Sequence, residues 1–180
     1  MKKLFIALAL SLVAISSFAQ NSVLRPRLEI AEVEFETAGT TLNLEIFYMN
    51  DESPRMYYLS VGNLGIGSDL IQITFDPIFE LFIPLGGTLD EAAQKLQEIK
   101  EFYKEPKLST MELQGCLAAA YPNDKYETVT LTNRRLLGVK TMEFSVKRDD
   151  FVRATYISKN DFSSLFSSFK IYRKLHPKQK

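Results

Sequence analysis

Four scarcities narrow what this chain can do. It has one cysteine, one histidine and no tryptophan, and its 22 basic residues are matched by 22 acidic ones. A lone cysteine, Cys116, cannot close an intramolecular disulfide, so packing must hold the fold even in an oxidising compartment. Its neighbours, Leu113-Gln114-Gly115-Cys116-Leu117-Ala118-Ala119-Ala120, are mostly small or apolar, the setting of an inert core thiol. The lone histidine, His176, stands beside Pro177 in a basic tail. That suits neither a Cys116–His176 dyad nor a Ser-His-Asp triad, and it leaves a histidine-rich zinc site without ligands. No G-x-S-x-G elbow is present. Gly62, Gly65 and Gly67 cluster, but no Gly-Lys-Ser/Thr follows them, so they read as loop glycines rather than a phosphate cradle. Balanced charge lacks the excess of cations on which non-specific nucleic-acid binding depends. No cofactor, metal or nucleic-acid partner is therefore expected.

The N-terminus has the layout of an export signal. Lys2 and Lys3 form a basic start, Leu4 to Ile15 an apolar stretch, and Ser17-Phe18-Ala19 a small-x-small cleavage site. The apolar run is shorter than the roughly twenty residues a bilayer span requires. The ending SFAQ resembles signal peptides of Gram-negative bacteria, which implies periplasm, outer surface or medium as the destination. The expected organisation is residues 1–19 as a cleaved signal peptide and 20–26 as a flexible leader. Residues 27–175 follow as a single domain and 176–180 as a basic tail. Loss of Lys2 and Lys3 brings the formal charge from zero to −2.

The clearest structural stretch is Thr88 to Lys104. Thr88 and Glu91 form a capping box, and Leu89, Ala92, Ala93, Leu96, Ile99 and Tyr103 share one helical face until Pro106 stops the run. A second helix is expected from Asn160 or Asp161, with Phe162, Leu165, Phe166, Phe169 and Tyr172 opposite a serine face. The rest alternates like strands: Leu28–Glu36 with a parity slip near Ile30, Thr41–Met49, Arg55–Val61, Leu70–Phe75, Ile78–Ile83, Met111–Leu117, Tyr126–Thr132, Leu136–Val146 and Phe151–Ser158. The slip at Ile30 and another near Thr141 suggest bulges. The fold class is α+β, an antiparallel meander with two amphipathic helices packed on one face. Residues ITFDPIFELFIPLGGTLDEAAQKLQEIKEFY and FSVKRDDFVRATYISKNDFSSLFSSFKIY both read as hairpin, cap, helix and aromatic ending, which suggests two pseudo-symmetric halves.

No catalytic constellation is evident. Glu32, Glu34 and Glu36 share a strand face and read as a solvated exterior, which also discourages edge-to-edge aggregation. Apolar surface is in surplus, however, because Ile78, Phe79, Leu81, Phe82 and Ile83 occupy both strand parities. Either the sheet curls upon itself, or one face meets a ligand, a second copy or a partner protein. Tyr48, Tyr57 and Tyr58 lie near that region and are the expected contact residues, since tyrosine is apolar in body with a polar tip. The expectation is an exported, non-enzymatic binding protein with a protein partner or homodimer. The alternative is a hydrolase acting on an envelope or extracellular polymer through paired carboxylates.

Overall fold

The computed structural model describes residues 27–37, 40–49, 52–62, 65–66, 80–117, 126–148 and 151–177. The expected signal peptide and leader lie outside the described residues. So do the strand expected at Leu70–Phe75, its turn at Asp76-Pro77, the pair Ile78-Phe79, and the turns at Tyr121–Asp124 and Asp149-Asp150. The elements run β1 (Arg27–Thr37), β2 (Thr40–Met49), β3 (Tyr57–Val61), β4 (Gly65–Ile66), β5 (Leu81–Gly86), α1 (Leu89–Phe102), β6 (Thr110–Leu117), β7 (Glu127–Leu136), β8 (Val139–Arg148), β9 (Phe151–Ser158) and α2 (Lys159–Leu175). The strands pair antiparallel in one sheet ordered β1-β2-β3-β5-β6-β7-β8-β9-β4, so the fold is α+β.

The sheet is curled. Helix α2 touches β1 and β2 near one end of the strand order and also β8 and β9 near the other. A helix is only about 10 Å across, so it reaches both ends only if the sheet bends around it. Much of the surplus apolar surface is consumed this way. One core cluster joins Leu44, Ile46, Leu59, Val61, Leu81 and Ile83 to Leu131, Phe144 and Ile157, and it takes in the apolar stripes of both helices. Alternate residues of the first strands, Phe47, Met49, Tyr58 and Phe82, form a separate cluster with Cys116 that contains no helix residue. Strict period-two alternation separates the two sets.

Local chemistry explains each helix boundary. The Thr88 hydroxyl accepts from the Glu91 amide at 3.2 Å, and the Glu91 carboxylate accepts from the Thr88 amide at 3.1 Å, closing the capping box. Thr88→Ala should lower stability by about 1 kcal/mol in urea unfolding, with an unchanged m-value; no change would mean that water replaces the cap without loss. Helix α2 starts at Lys159, earlier than the expected Asn160 or Asp161, because Ser158 is its cap and accepts from the Asp161 amide at 3.1 Å. The helices are antiparallel neighbours. Asp90 near the start of α1 pairs with Arg173 near the end of α2 at 2.5 Å, while Tyr103 packs on Phe162 with ring centroids 5.7 Å apart.

The bulge expected near Ile30 is present as a register shift between Glu29 and Ala31. The single strand expected over Leu136–Val146 is not. Leu137 and Gly138 form a two-residue hairpin turn, residues up to Leu136 continue β7, and β8 pairs with β7 and β9 in unbroken register past Thr141. The parity switch near Thr141 arises because Val139, apolar yet exposed, lies on the face of β8 opposite the buried Met142, Phe144 and Val146.

Candidate functional site

The three expected contact tyrosines divide between the two clusters. Tyr48 and Tyr57 are cross-strand neighbours with ring centroids 5.6 Å apart, and both join the cluster that includes the helices. Tyr58 points the other way, where it stacks on Phe47 at 5.5 Å and its hydroxyl donates to Glu52 at 2.6 Å. All three are buried. Adjacent residues on a strand face opposite sides, so Tyr57 and Tyr58 cannot share a surface.

Beside the Tyr58 cluster lies a polar group that sequence reading had dispersed. Arg27 of β1 reaches Glu45 of β2 at 2.9 Å and Glu80 at the start of β5 at 2.7 Å, and the Ser60 hydroxyl of β3 donates to Glu80 at 2.5 Å. The Arg27 guanidinium also lies 5.1 Å from the centroid of the Phe47 ring. Arg27 thus ties β1 to β2 and to the residue preceding β5, and Ser60 links β3 to the same carboxylate. Burial pushes the Glu45 carboxyl up to about 7; Arg27 opposes the rise, while Glu80, Glu29 and Glu32 add to it. Nothing local in the sequence joins Glu45 to Glu80. Glu32 and Glu34 are exposed, as a solvated face requires.

The sheet has one further irregularity with functional potential. Strands β5 and β6 pair only at Leu81–Leu117 and Phe82–Cys116, although both strands continue beyond those residues. Gly115 sits where they part: a Cβ there would lie 2.5 Å from Val129 Cγ2 and 3.1 Å from the Phe82 carbonyl oxygen. Past that point β5 carries Pro84, which has no N–H and is tolerated where a ladder has ended. Between the diverging strands and α1 is a cleft of about 410 Å³ lined by Ile83, Pro84, Lys95, Glu112, Leu113 and Gln114. Along the cleft, neither strand has a strand partner across the gap among the described residues. A proline within a strand is the signal of a broken ladder that the sequence carries here.

Other candidates are accounted for by structure. His176 caps α2, its Nδ1 lying 2.9 Å from the Tyr172 carbonyl oxygen and its ring stacked on Tyr172. Cys116 is buried against the Phe82 cluster. Among the described residues no group of three or more His, Cys, Asp or Glu side chains is disposed to hold a metal, and no helix is long and apolar enough to cross a membrane. No family model, curated protein or solved structure matches the chain.

Proposed function

We propose that the protein is an exported, non-enzymatic binding protein of the bacterial cell envelope, and that its β5–β6 cleft receives an extended segment of a partner polypeptide. The observation carrying this reading is the ladder that stops after two pairs in an otherwise continuous sheet. Backbone groups along the two facing edges are the kind that an added strand satisfies, while Ile83 and Leu113 offer apolar contact and Lys95, Glu112 and Gln114 offer polar selectivity. The signal-like N-terminus supports the location. The contact role expected for Tyr48, Tyr57 and Tyr58 passes to the cleft, because the fold itself occupies their rings.

The test is selection from a random peptide library against residues 20–180, followed by affinity measurements on a cleft-filling variant. Gln114 is exposed, so Gln114→Trp should leave the melting temperature within a few degrees while weakening the selected peptides about tenfold or more, the equivalent of roughly 1.4 kcal/mol. Unchanged affinity would place binding elsewhere.

The hydrolase alternative has a specific candidate in Glu45 and Glu80. A glycosidase needs its two acids to flank the scissile bond, but here the Arg27 guanidinium bonds to both and takes up the space between them. Release of soluble fragments from envelope polysaccharide by the wild type, abolished by Glu80→Gln, would reverse the preference.

The same proposal includes an origin in two β-meander–helix halves related by a pseudo-twofold axis, with both helices on one side of the sheet. A run of strands followed by a helix occurs twice in the element order, β1–β5 before α1 and β6–β9 before α2, and the antiparallel contacts between α1 and α2 support the symmetry. With Cys116→Ser as background, Asp90→Cys and Arg173→Cys should be joined by a short bismaleimide cross-linker, which spans the reach of the Asp90–Arg173 pair. Helices on opposite sides of the sheet could not be.

A further inference from the structure

The β7–β8 turn contains a residue that folding does not explain. Leu137 has φ 49° and Gly138 φ 84°, and two positive φ values in a two-residue loop define a type I′ turn. The first position of that turn favours asparagine, aspartate or glycine; a leucine there is strained. Leu137 is also wholly exposed, with a relative accessibility of 105 %, so it contributes nothing to the core. Among the described residues only one other non-glycine has a positive φ, and it too is a leucine: Leu108, φ 70°, 56 % exposed.

The fold brings these two leucines to the same end of the sheet. The Leu108 amide donates to the Asn133 carbonyl at 2.9 Å and the Asn133 amide to the Ser109 carbonyl at 3.0 Å, which places the α1–β6 loop beside β7 just before the turn. Leu136 and Val139, the pair that closes the hairpin, are exposed as well. A single exposed leucine is ordinary on a protein surface. Two strained leucines and a further exposed apolar pair at one end of the sheet are not.

The charges around this tip are mainly basic. Arg135 and Lys140 are directly opposed across the hairpin, and both are exposed. Like charges at opposed positions destabilise a strand pair unless something anionic lies against them. Lys107 adjoins Leu108, and neither it nor Arg135 nor Lys140 has an ion-pair partner among the described residues. Arg134 is held by Glu143 at 2.7 Å, and Glu105 is the acidic residue of the adjacent loop.

We propose that this end of the sheet is a lipid-contact surface, with Leu108, Leu136, Leu137 and Val139 entering the interfacial layer of an anionic bilayer while Lys107, Arg135 and Lys140 meet its headgroups. An apolar tip with a basic collar is the arrangement that binds such an interface without spanning it. Strain at Leu137 and repulsion between Arg135 and Lys140 are both offset when the membrane is reached. The surface is separate from the β5–β6 cleft and stands or falls without it.

The test uses residues 20–180 with vesicles of phosphatidylcholine, alone or mixed with phosphatidylglycerol. The protein should co-sediment with the mixed vesicles and not with the neutral ones, and added salt should release it. Leu137→Asn supplies the residue the turn prefers; it should raise or preserve the melting temperature while weakening vesicle binding at least about tenfold, the equivalent of roughly 1.4 kcal/mol. Because the chain has no tryptophan, Leu137→Trp gives a single reporter whose emission should shift to the blue on mixed vesicles. Failure to bind mixed vesicles, equal binding by Leu137→Asn, or an unshifted emission would overturn the proposal. Capture of an acidic protein in place of lipid would do so too.

Discussion

Replacing Phe162 with alanine should cost about 3–5 kcal/mol, the largest loss expected from a single truncation in this chain. Phe162 is completely buried at the start of α2 and packs on Tyr103, whose hydroxyl donates to the Ile157 carbonyl at 3.1 Å. Its removal therefore leaves a cavity where α2, the end of α1 and β9 meet. Domains of this size are typically stable by only about 5–15 kcal/mol, so a third or more of the margin would disappear. Urea unfolding should show a lower midpoint with an unchanged m-value. Because α2 touches both β1 and β9, the amides of those two strands should lose exchange protection together although they lie far apart in the strand order. A loss below about 1 kcal/mol would mean that the helix does not fill the curled sheet.

The second large effect depends on pH. Glu45 has an ordinary value of 4.5 and a folded value of about 7, so between these limits the native state holds a proton that the unfolded chain releases. The sign follows directly. The stability contributed by the neutral carboxyl is fully present below about pH 4.5 and is lost as pH rises through about 7. Glutamine remains neutral throughout, so the difference in unfolding free energy between wild type and Glu45→Gln should change by about 2–3 kcal/mol from pH 5 to pH 8, with wild type relatively weaker at pH 8. Matched denaturation curves at the two pH values test this. Parallel behaviour of the two proteins would show that Arg27 compensates the buried charge fully.

What could be read from the sequence was what local chemistry dictates. The capping box of α1 and its apolar stripe depend on residues within a few positions of one another, and the structure reproduces both. The bulge at Ile30 was visible because a slipped register must invert the parity of the residues that follow it. The β7–β8 turn was hidden because Leu137-Gly138 lacks the asparagine or aspartate by which such turns are recognised. The separation of Tyr57 from Tyr58 was present in the alternation, but proximity in sequence concealed it. The cluster of Arg27, Glu45, Ser60 and Glu80 and the β5–β6 cleft were illegible for a different reason. Both arise from pairing between distant segments, and only Pro84 left a local trace of the cleft.

Amide exchange resolved residue by residue across β5 and β6 tests the cleft most directly. In the free protein, the amides of Glu112 and Gln114, which point into the gap, should exchange fast, while those of Ile83, bonded to β3, and of Met111 and Leu113, bonded to β7, remain protected. A selected peptide should slow the fast set and leave the rest unchanged. Uniform protection of both strands in the free protein, or a bound peptide that slows none of these amides, would contradict the account.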